Sequence, residues 1–336
     1  MRSHTIFDWL KPLPVLACAA FVSTSAAAAG ANSPVDDLVS AVVHISTHID
    51  PDAQTAKVLS REREGSGIVI DDNGLILTIG YLMVEAYAAE VETNAGRTVP
   101  AEVVGYDPES GFGLLRATSP LNLKPVALGK SAPLKSGDPV IIAAAGGAEM
   151  AAPVRVVARR EFAGSWEYLL DDAIFTAPPY PAWSGAALFD AEGKLVGVGS
   201  LIVGDARGSG ERSPGNMFVP IDRLTPILAS LVKSGRAPGP AHPWLGMTTD
   251  EVAGHLVISR LSPGGPADKA GLKEGDVVFG VGDETTGSLA DFYRKVWARG
   301  NAGAVIPLVV MADSGVRHVE LHSIDRLDNL KLKSTF

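Results

Sequence analysis

Residues 181–188 read Pro181-Ala182-Trp183-Ser184-Gly185-Ala186-Ala187-Leu188. A strand-like run, 168–172, stands before them. A hairpin pattern follows: Ala187-Leu188-Phe189, the turn Asp190-Ala191-Glu192-Gly193, and an apolar return over 194–200. Aspartate and glycine in the turn favour chain reversal, the first by bonding its own backbone, the second by its free φ. One serine hydroxyl, that of Ser184, is thereby placed on a tight turn in front of a hairpin. A serine there can serve the turn alone, or it can act as a nucleophile if a base lies within reach. The rest of the chain decides between the two.

Upstream, residues 65–78 read Gly65-Ser66-Gly67-Ile68-Val69-Ile70-Asp71-Asp72-Asn73-Gly74-Leu75-Ile76-Leu77-Thr78. Two apolar strands flank an Asn-Gly pair, which takes the positive φ of a tight hairpin at little cost. The next residues are Ile79-Gly80-Tyr81-Leu82-Met83-Val84. A strand over 41–46 precedes this hairpin, with His44 and His48 at alternating spacing; without a carboxylate at matching spacing they read as face residues. Further on come a hairpin around Asn94-Ala95-Gly96 and the segment Gly105-Tyr106-Asp107-Pro108-Glu109-Ser110-Gly111-Phe112-Gly113-Leu114-Leu115. The 36 glycines and 23 prolines agree with many turns and hence a mainly β fold.

These stretches together resemble the HtrA/DegP family of trypsin-like serine proteases. Residues 65–78 are similar to its G-S-G-x-I-I-x-x-x-G-x-I-L-T, residues 107–115 to D-P-x-T-D-L-A-V-L, and 181–188 to P-G-N-S-G-G-P-L. The resemblance implies a double β-barrel in which Ser184 is the nucleophile position and Ala182, Trp183 and Gly185 form the oxyanion loop. It also puts Tyr81 where the family has its catalytic histidine and Gly111 where it has the aspartate. A phenol with a pKa of about 10 does not accept a proton at neutral pH as an imidazole does. Three prolines, Pro178, Pro179 and Pro181, stiffen the approach to Ser184 and remove amide donors. A helix over 224–232 is expected to close this domain.

Residues 234–242 carry Gly235, Pro238, Gly239 and Pro240 and read as a linker. Beyond it, Trp244-Leu245-Gly246-Met247 and the run Ser262-Pro263-Gly264-Gly265-Pro266-Ala267-Asp268-Lys269-Ala270-Gly271-Leu272-Lys273-Glu274-Gly275-Asp276 are similar to a PDZ domain. In that domain the first stretch is a loop whose amides hold a peptide's terminal carboxylate, while an edge strand pairs with the peptide. Ser288 followed by Asp291 has the spacing of a capping box ahead of a helix. Leu289, Phe292, Val296 and Trp297 recur on that helix; Phe292 and Val296 are expected to wall the peptide groove as well as pack the core.

The domain reading is therefore a leader at 1–29, a protease-like domain at 35–233, a linker at 234–242, a PDZ domain at 243–323 and a polar, free tail at 324–336. In the leader, Arg2 and Lys11 precede an apolar run of about ten residues, too short to span a bilayer. Small residues then suit cleavage near Ala29, so the chain is expected to be exported and soluble. The single cysteine, Cys18, falls inside the leader, which leaves no disulfide and no thiolate metal site in the remainder. The net charge of −9 argues against nucleic acid as a partner. No cofactor or metal is expected, and no transmembrane segment.

Two functions stay open. One is a pseudoprotease that keeps the double barrel and the peptide groove and binds unfolded or C-terminal segments of exported proteins, with a homotrimer among the possible assemblies. The other is an HtrA-type endopeptidase in which Ser184 takes a base from elsewhere, such as another subunit.

Overall fold

Alternation of apolar and polar residues sets each strand's inward face, and turns rich in glycine and aspartate join the strands. The computed structural model describes residues 34–312 and 315–332. The leader reading, with its cleavage near Ala29, lies outside the described residues.

A short helix α1 (Pro34–Ser40) leads into β1 (Val42–Ile49), β2 (Glu62–Val69), β3 (Leu75–Ile79), β4 (Ala86–Glu92), β5 (Thr98–Tyr106) and β6 (Phe112–Ala117). A single turn, α2 (Ala56–Leu59), lies between β1 and β2. The strands close into a barrel in the order β1-β2-β3-β6-β5-β4. The hydrophobic residues packed in and around it include Val43, Ile45, Ile68, Ile76, Leu77, Val91 and Leu114, none of them exposed. On β1 the residues alternate, so His44, Ser46 and His48 share the outer face. His44 does have a carboxylate nearby, Glu64 at 3.9 Å on the paired strand, which spacing within β1 could not reveal.

The second barrel comprises β7 (Pro139–Ala143), β8 (Ala151–Gly164), β9 (Tyr168–Ala177), β10 (Ala187–Phe189), β11 (Leu195–Val203) and β12 (Gly215–Pro220), closed in the order β10-β11-β12-β9-β8-β7. Its core holds Val140, Ile142, Val154, Ile174, Leu188, Val196 and Phe218. Truncating one such leucine or isoleucine to alanine typically costs about 2–5 kcal/mol. The following helix, α3 (Leu228–Ser234), begins later than expected. Pro226 stands in the turn before it and has no amide to donate to a helical ladder.

The remaining elements are β13 (Met247–Val252), β14 (His255–Leu261), α4 (Pro266–Lys269), β15 (Val277–Val281), β16 (Glu284–Thr285), α5 (Leu289–Trp297), β17 (Val305–Ala312) and β18 (Gly315–His322). The sheet runs β13-β14-β15-β17-β18, with β16 against β15, so β13 is an edge strand. Ser288 caps α5 by accepting a hydrogen bond from the Asp291 amide at 3.2 Å. The tail departs from expectation. Ile324 exchanges two backbone hydrogen bonds with Trp244, at 3.0 and 3.2 Å, a 3-10 turn covers Arg326–Asn329, and the Lys331 amide donates to Glu85 at 2.8 Å. Residues 324–332 thus fold back onto the chain, through backbone pairing that a polar composition does not announce.

Candidate active site

Ser184 is held by backbone contacts with both barrels. Its carbonyl accepts from the Ser66 amide on β2 at 2.8 Å, and Thr78 on β3 donates its hydroxyl to the Ser66 carbonyl at 2.8 Å. The next residue, Gly185, has φ +73°, and a Cβ there would run into the Ser66 carbonyl oxygen. Glycine is required on both counts. The turn closes through Ala186 N to Trp183 O at 3.0 Å and Gly185 N to Gly199 O at 2.9 Å. Among the described residues the amides of Ala182 and Ser184 donate to no partner. Those are the two donors that an oxyanion loop of this kind aims at its ligand.

The side chain facing Ser184 is Tyr81, on a 3-10 turn (Gly80–Leu82) directly after β3. Its phenol oxygen lies 2.9 Å from Ser184 Oγ and 3.0 Å from the carbonyl oxygen of Ser200. A phenol has one proton and a carbonyl only accepts. Either Tyr81 donates to Ser200 and receives the serine proton, or it donates to Ser184 itself. In neither arrangement does the hydroxyl meet a base. Burial pushes the phenol up to about 12, against smaller opposing effects of its bonds near Ser184 and Trp183. Arg63 fixes the turn, donating to the carbonyls of Tyr81 at 2.8 Å and Val84 at 3.1 Å, and its own pKa is lowered to about 10 chiefly by burial.

Gly111 sits next to this turn, its carbonyl accepting from the Gly80 amide at 2.7 Å. Its φ of +81° disfavours any side chain, and a Cβ would stand 3.2 Å from the Tyr168 hydroxyl. Tyr168 is anchored there by donating to the Ser110 carbonyl at 2.7 Å. A side chain at this position would therefore hold a strained backbone and press on Tyr168. Trp183 points its indole N–H at the Ser200 carbonyl, 3.1 Å away, so Ser200 joins the site, although nothing in its apolar strand marked it beforehand.

The second predicted site, Trp244-Leu245-Gly246-Met247, does gather its amides on a carboxylate, and that carboxylate belongs to the same chain. Glu167, at the tip of the β8–β9 hairpin, accepts from Leu245 N on Oε2 at 2.8 Å, and on Oε1 from Gly246 N at 2.8 Å and Met247 N at 3.1 Å. It is buried with φ +57°. Phe292 and Val296 are buried in the core beneath α5, as the packing half of their expected role requires, and the hairpin residues Ala163 and Leu169 pack against the same cluster. On α5, Tyr293 meets the hairpin: its hydroxyl donates to Gly164 O at 2.7 Å and accepts from Glu167 N at 3.2 Å. No local signal in Ser165-Trp166-Glu167 distinguishes this acidic residue in sequence.

Among the described residues no cluster of side chains suits a metal ion, and no helix is long and apolar enough to cross a membrane.

Comparison with known proteins agrees with this architecture. Residues 65–198 match the trypsin-like peptidase domain, and 257–310 match the PDZ domain. The chain is 30% identical over 278 residues to Serine protease PepD of Mycobacterium tuberculosis, covering 76% of this chain and 59% of that protein. It is 29% identical over 337 residues to Putative serine protease HhoA of Synechocystis, covering 82% and 79% respectively. A probable periplasmic serine endoprotease DegP-like of Pseudomonas fluorescens is 29% identical over 282 residues, covering 78% of this chain and 57% of that protein. The chain thus spans somewhat more than half the length of two of these three relatives. Among solved structures, the HtrA-type protease AlgW with decapeptide overlaps at TM-score 0.52 and 21% identity, over 88% of this chain and 99% of that one. The serine endoprotease from Yersinia pestis overlaps at TM-score 0.50 and 21% identity, over 88% and 99%. The chain thus carries a trypsin-like peptidase domain followed by a PDZ domain, the arrangement in which it is similar to the HtrA/DegP family.

Proposed function

We propose that this chain is an exported, periplasmic HtrA-type pseudoprotease that binds unfolded or C-terminal segments of exported proteins in quality control without cleaving them. The observation that carries this reading is the Tyr81 phenol lying 2.9 Å from Ser184 Oγ where the family resemblance puts a histidine. With a pKa near 12, the phenolate is populated at roughly one part in 10⁵ at pH 7. Loss of triad members lowers kcat by about 10⁴–10⁶. Gly111 supports the same reading, since a glycine offers no carboxylate to orient a base and its φ of +81° disfavours a side chain. Ala182, Trp183 and Gly185 keep the frame of the nucleophile loop, which suits a domain selected to hold segments. The decapeptide held by the HtrA-type protease AlgW supports a peptide ligand for this chain too. Degradation of denatured casein by the exported chain tests the proposal: no fragments are expected, and cleavage that vanishes in Ser184→Ala would overturn it.

One observation favours a second reading, an endopeptidase with a base supplied by another subunit. The Ala182 and Ser184 amides are free to receive an oxyanion among the described residues. That reading requires casein cleavage whose rate rises with assembly, for instance on forming a homotrimer.

A further inference from the structure

The PDZ groove is engaged by one hairpin of the protease domain. Its carboxylate loop is filled by the Glu167 side chain, with all three successive amides donating to the two oxygens. Its edge strand β13 is met as an incoming strand would meet it, Thr249 N donating to Ser165 O at 2.9 Å. From α5, the Tyr293 hydroxyl bridges Gly164 and Glu167. The hairpin side chains Ala163 and Leu169 pack against the PDZ core. Arg294 on α5 also pairs with Glu161 on one hairpin strand and, at 3.1 Å, with Asp171 on the other. Arg326 in the returning tail donates to the Trp166 carbonyl at 3.1 Å.

Glu167 has the left-handed backbone, φ +57°, that a three-residue hairpin loop between Gly164 and Tyr168 asks of its last residue. A buried acid left without these three donors would be a costly orphan, so the fit is mutual. The hairpin places a side-chain carboxylate where a peptide would place its terminal one.

We infer that Glu167 is the resident ligand of this PDZ domain: the protease-domain hairpin is an internal pseudo-C-terminus that keeps the groove closed, and an external peptide with a free terminal carboxylate binds only by displacing it. The inference rests on the peptide-binding part of the proposed function and narrows it, because only ligands that outcompete a tethered carboxylate are accepted. A tethered competitor acts at high effective concentration, so its removal should raise the apparent affinity of any displacing peptide.

Two measurements on the full exported chain test this. Amide hydrogen exchange should find Leu245, Gly246 and Met247 protected in the parent chain and exchanging at least tenfold faster in Glu167→Ala, with β1–β6 amides unchanged as a control for folding. Fast exchange in the parent chain, or equal protection in both, overturns the resident-ligand assignment. A fluorescein-labelled decapeptide with an apolar, free C-terminus should then bind Glu167→Ala at least tenfold more tightly than the parent, while its amidated twin shows no such gain. Equal binding of the free peptide by both chains contradicts closure of the groove. Binding by neither chain, with the exchange result as expected, removes the peptide-binding reading but leaves Glu167 as the loop's ligand. The variant Glu167→Asp, one methylene shorter, should fall between parent and Glu167→Ala in exchange.

Discussion

The phenol of Tyr81 and the hydroxyl of Ser184 are hydrogen-bonded to each other at 2.9 Å, across the junction of the two barrels. The contact occupies the direction from which a general base would reach the serine. It is also supported from behind, since Ser200 offers its carbonyl to both Tyr81 and Trp183. A tyrosine so placed is part of the packing, and replacing it is not enough to make an enzyme.

Restoring Tyr81→His together with Gly111→Asp is therefore expected to leave casein degradation near background. At Gly111 the φ of +81° and the Tyr168 hydroxyl 3.2 Å from a would-be Cβ oppose the aspartate. A non-glycine residue in the left-handed region loses about 1–2 kcal/mol, so a fall in melting temperature of several degrees should accompany the change. Activity approaching that of an intact protease would show that the site relaxes more readily than this geometry allows.

Gly185→Ala should damage the nucleophile turn more than any neighbouring substitution. Its Cβ would strike the Ser66 carbonyl oxygen at a position already in positive φ, and the strut from Ser66 N to Ser184 O would give way. A loss of about 2–4 kcal/mol in denaturant unfolding is expected, within the range of overpacking and backbone strain. A loss below 0.5 kcal/mol would mean that the two barrels are not joined through this turn.

Arg63→Met tests what holds Tyr81 in place. The guanidinium serves the carbonyls of Ser60, Tyr81 and Val84 and the Thr55 hydroxyl from a buried site. Removing it leaves buried acceptors unmet, and about 2–3 kcal/mol of stability should go with it. A melting curve matching the parent's would assign the turn's geometry to other contacts.

Much of the fold could be read in sequence because it is written in local patterns. The Asn73-Gly74 turn, the apolar runs of β2 and β3, the capping pair Ser288 and Asp291, and the Trp244-Leu245-Gly246-Met247 loop each carry their own signal. The position of Tyr81 next to Ser184 followed from the resemblance, though its second acceptor, Ser200, lies 119 residues away in sequence. What could not be read is long-range. Glu167 meets a loop 78–80 residues further on, and Lys331 meets Glu85 across 246 residues. On α5, helical periodicity tells which side of the helix is apolar, but not that the hairpin meets it through Tyr293 and Arg294.

Docking of the hairpin should depend on pH through Glu167. Burial pushes its carboxyl up to about 7, while the three amides and Arg326 oppose the rise; Tyr293 and, through it, Asp250 are the other ionisable groups nearby. A carboxyl whose pKa is higher when docked than when free holds a proton in the docked state that the free state has released. Docking is thus fully favoured below the ordinary carboxylate range near 4.5 and weakens as pH rises through about 7. Protection of the Leu245–Met247 amides, corrected for the intrinsic pH dependence of exchange, should fall severalfold between pH 5 and 8. The step should be missing in Glu167→Ala; a protection factor that rises with pH would reverse the sign.

The most direct test of the absent base is reaction of the exported chain with a fluorophosphonate, which labels a serine only when its proton is taken up. Intact-mass analysis after prolonged incubation at neutral pH should show no adduct on Ser184. A stoichiometric adduct on Ser184, lost in Ser184→Ala, would contradict the account.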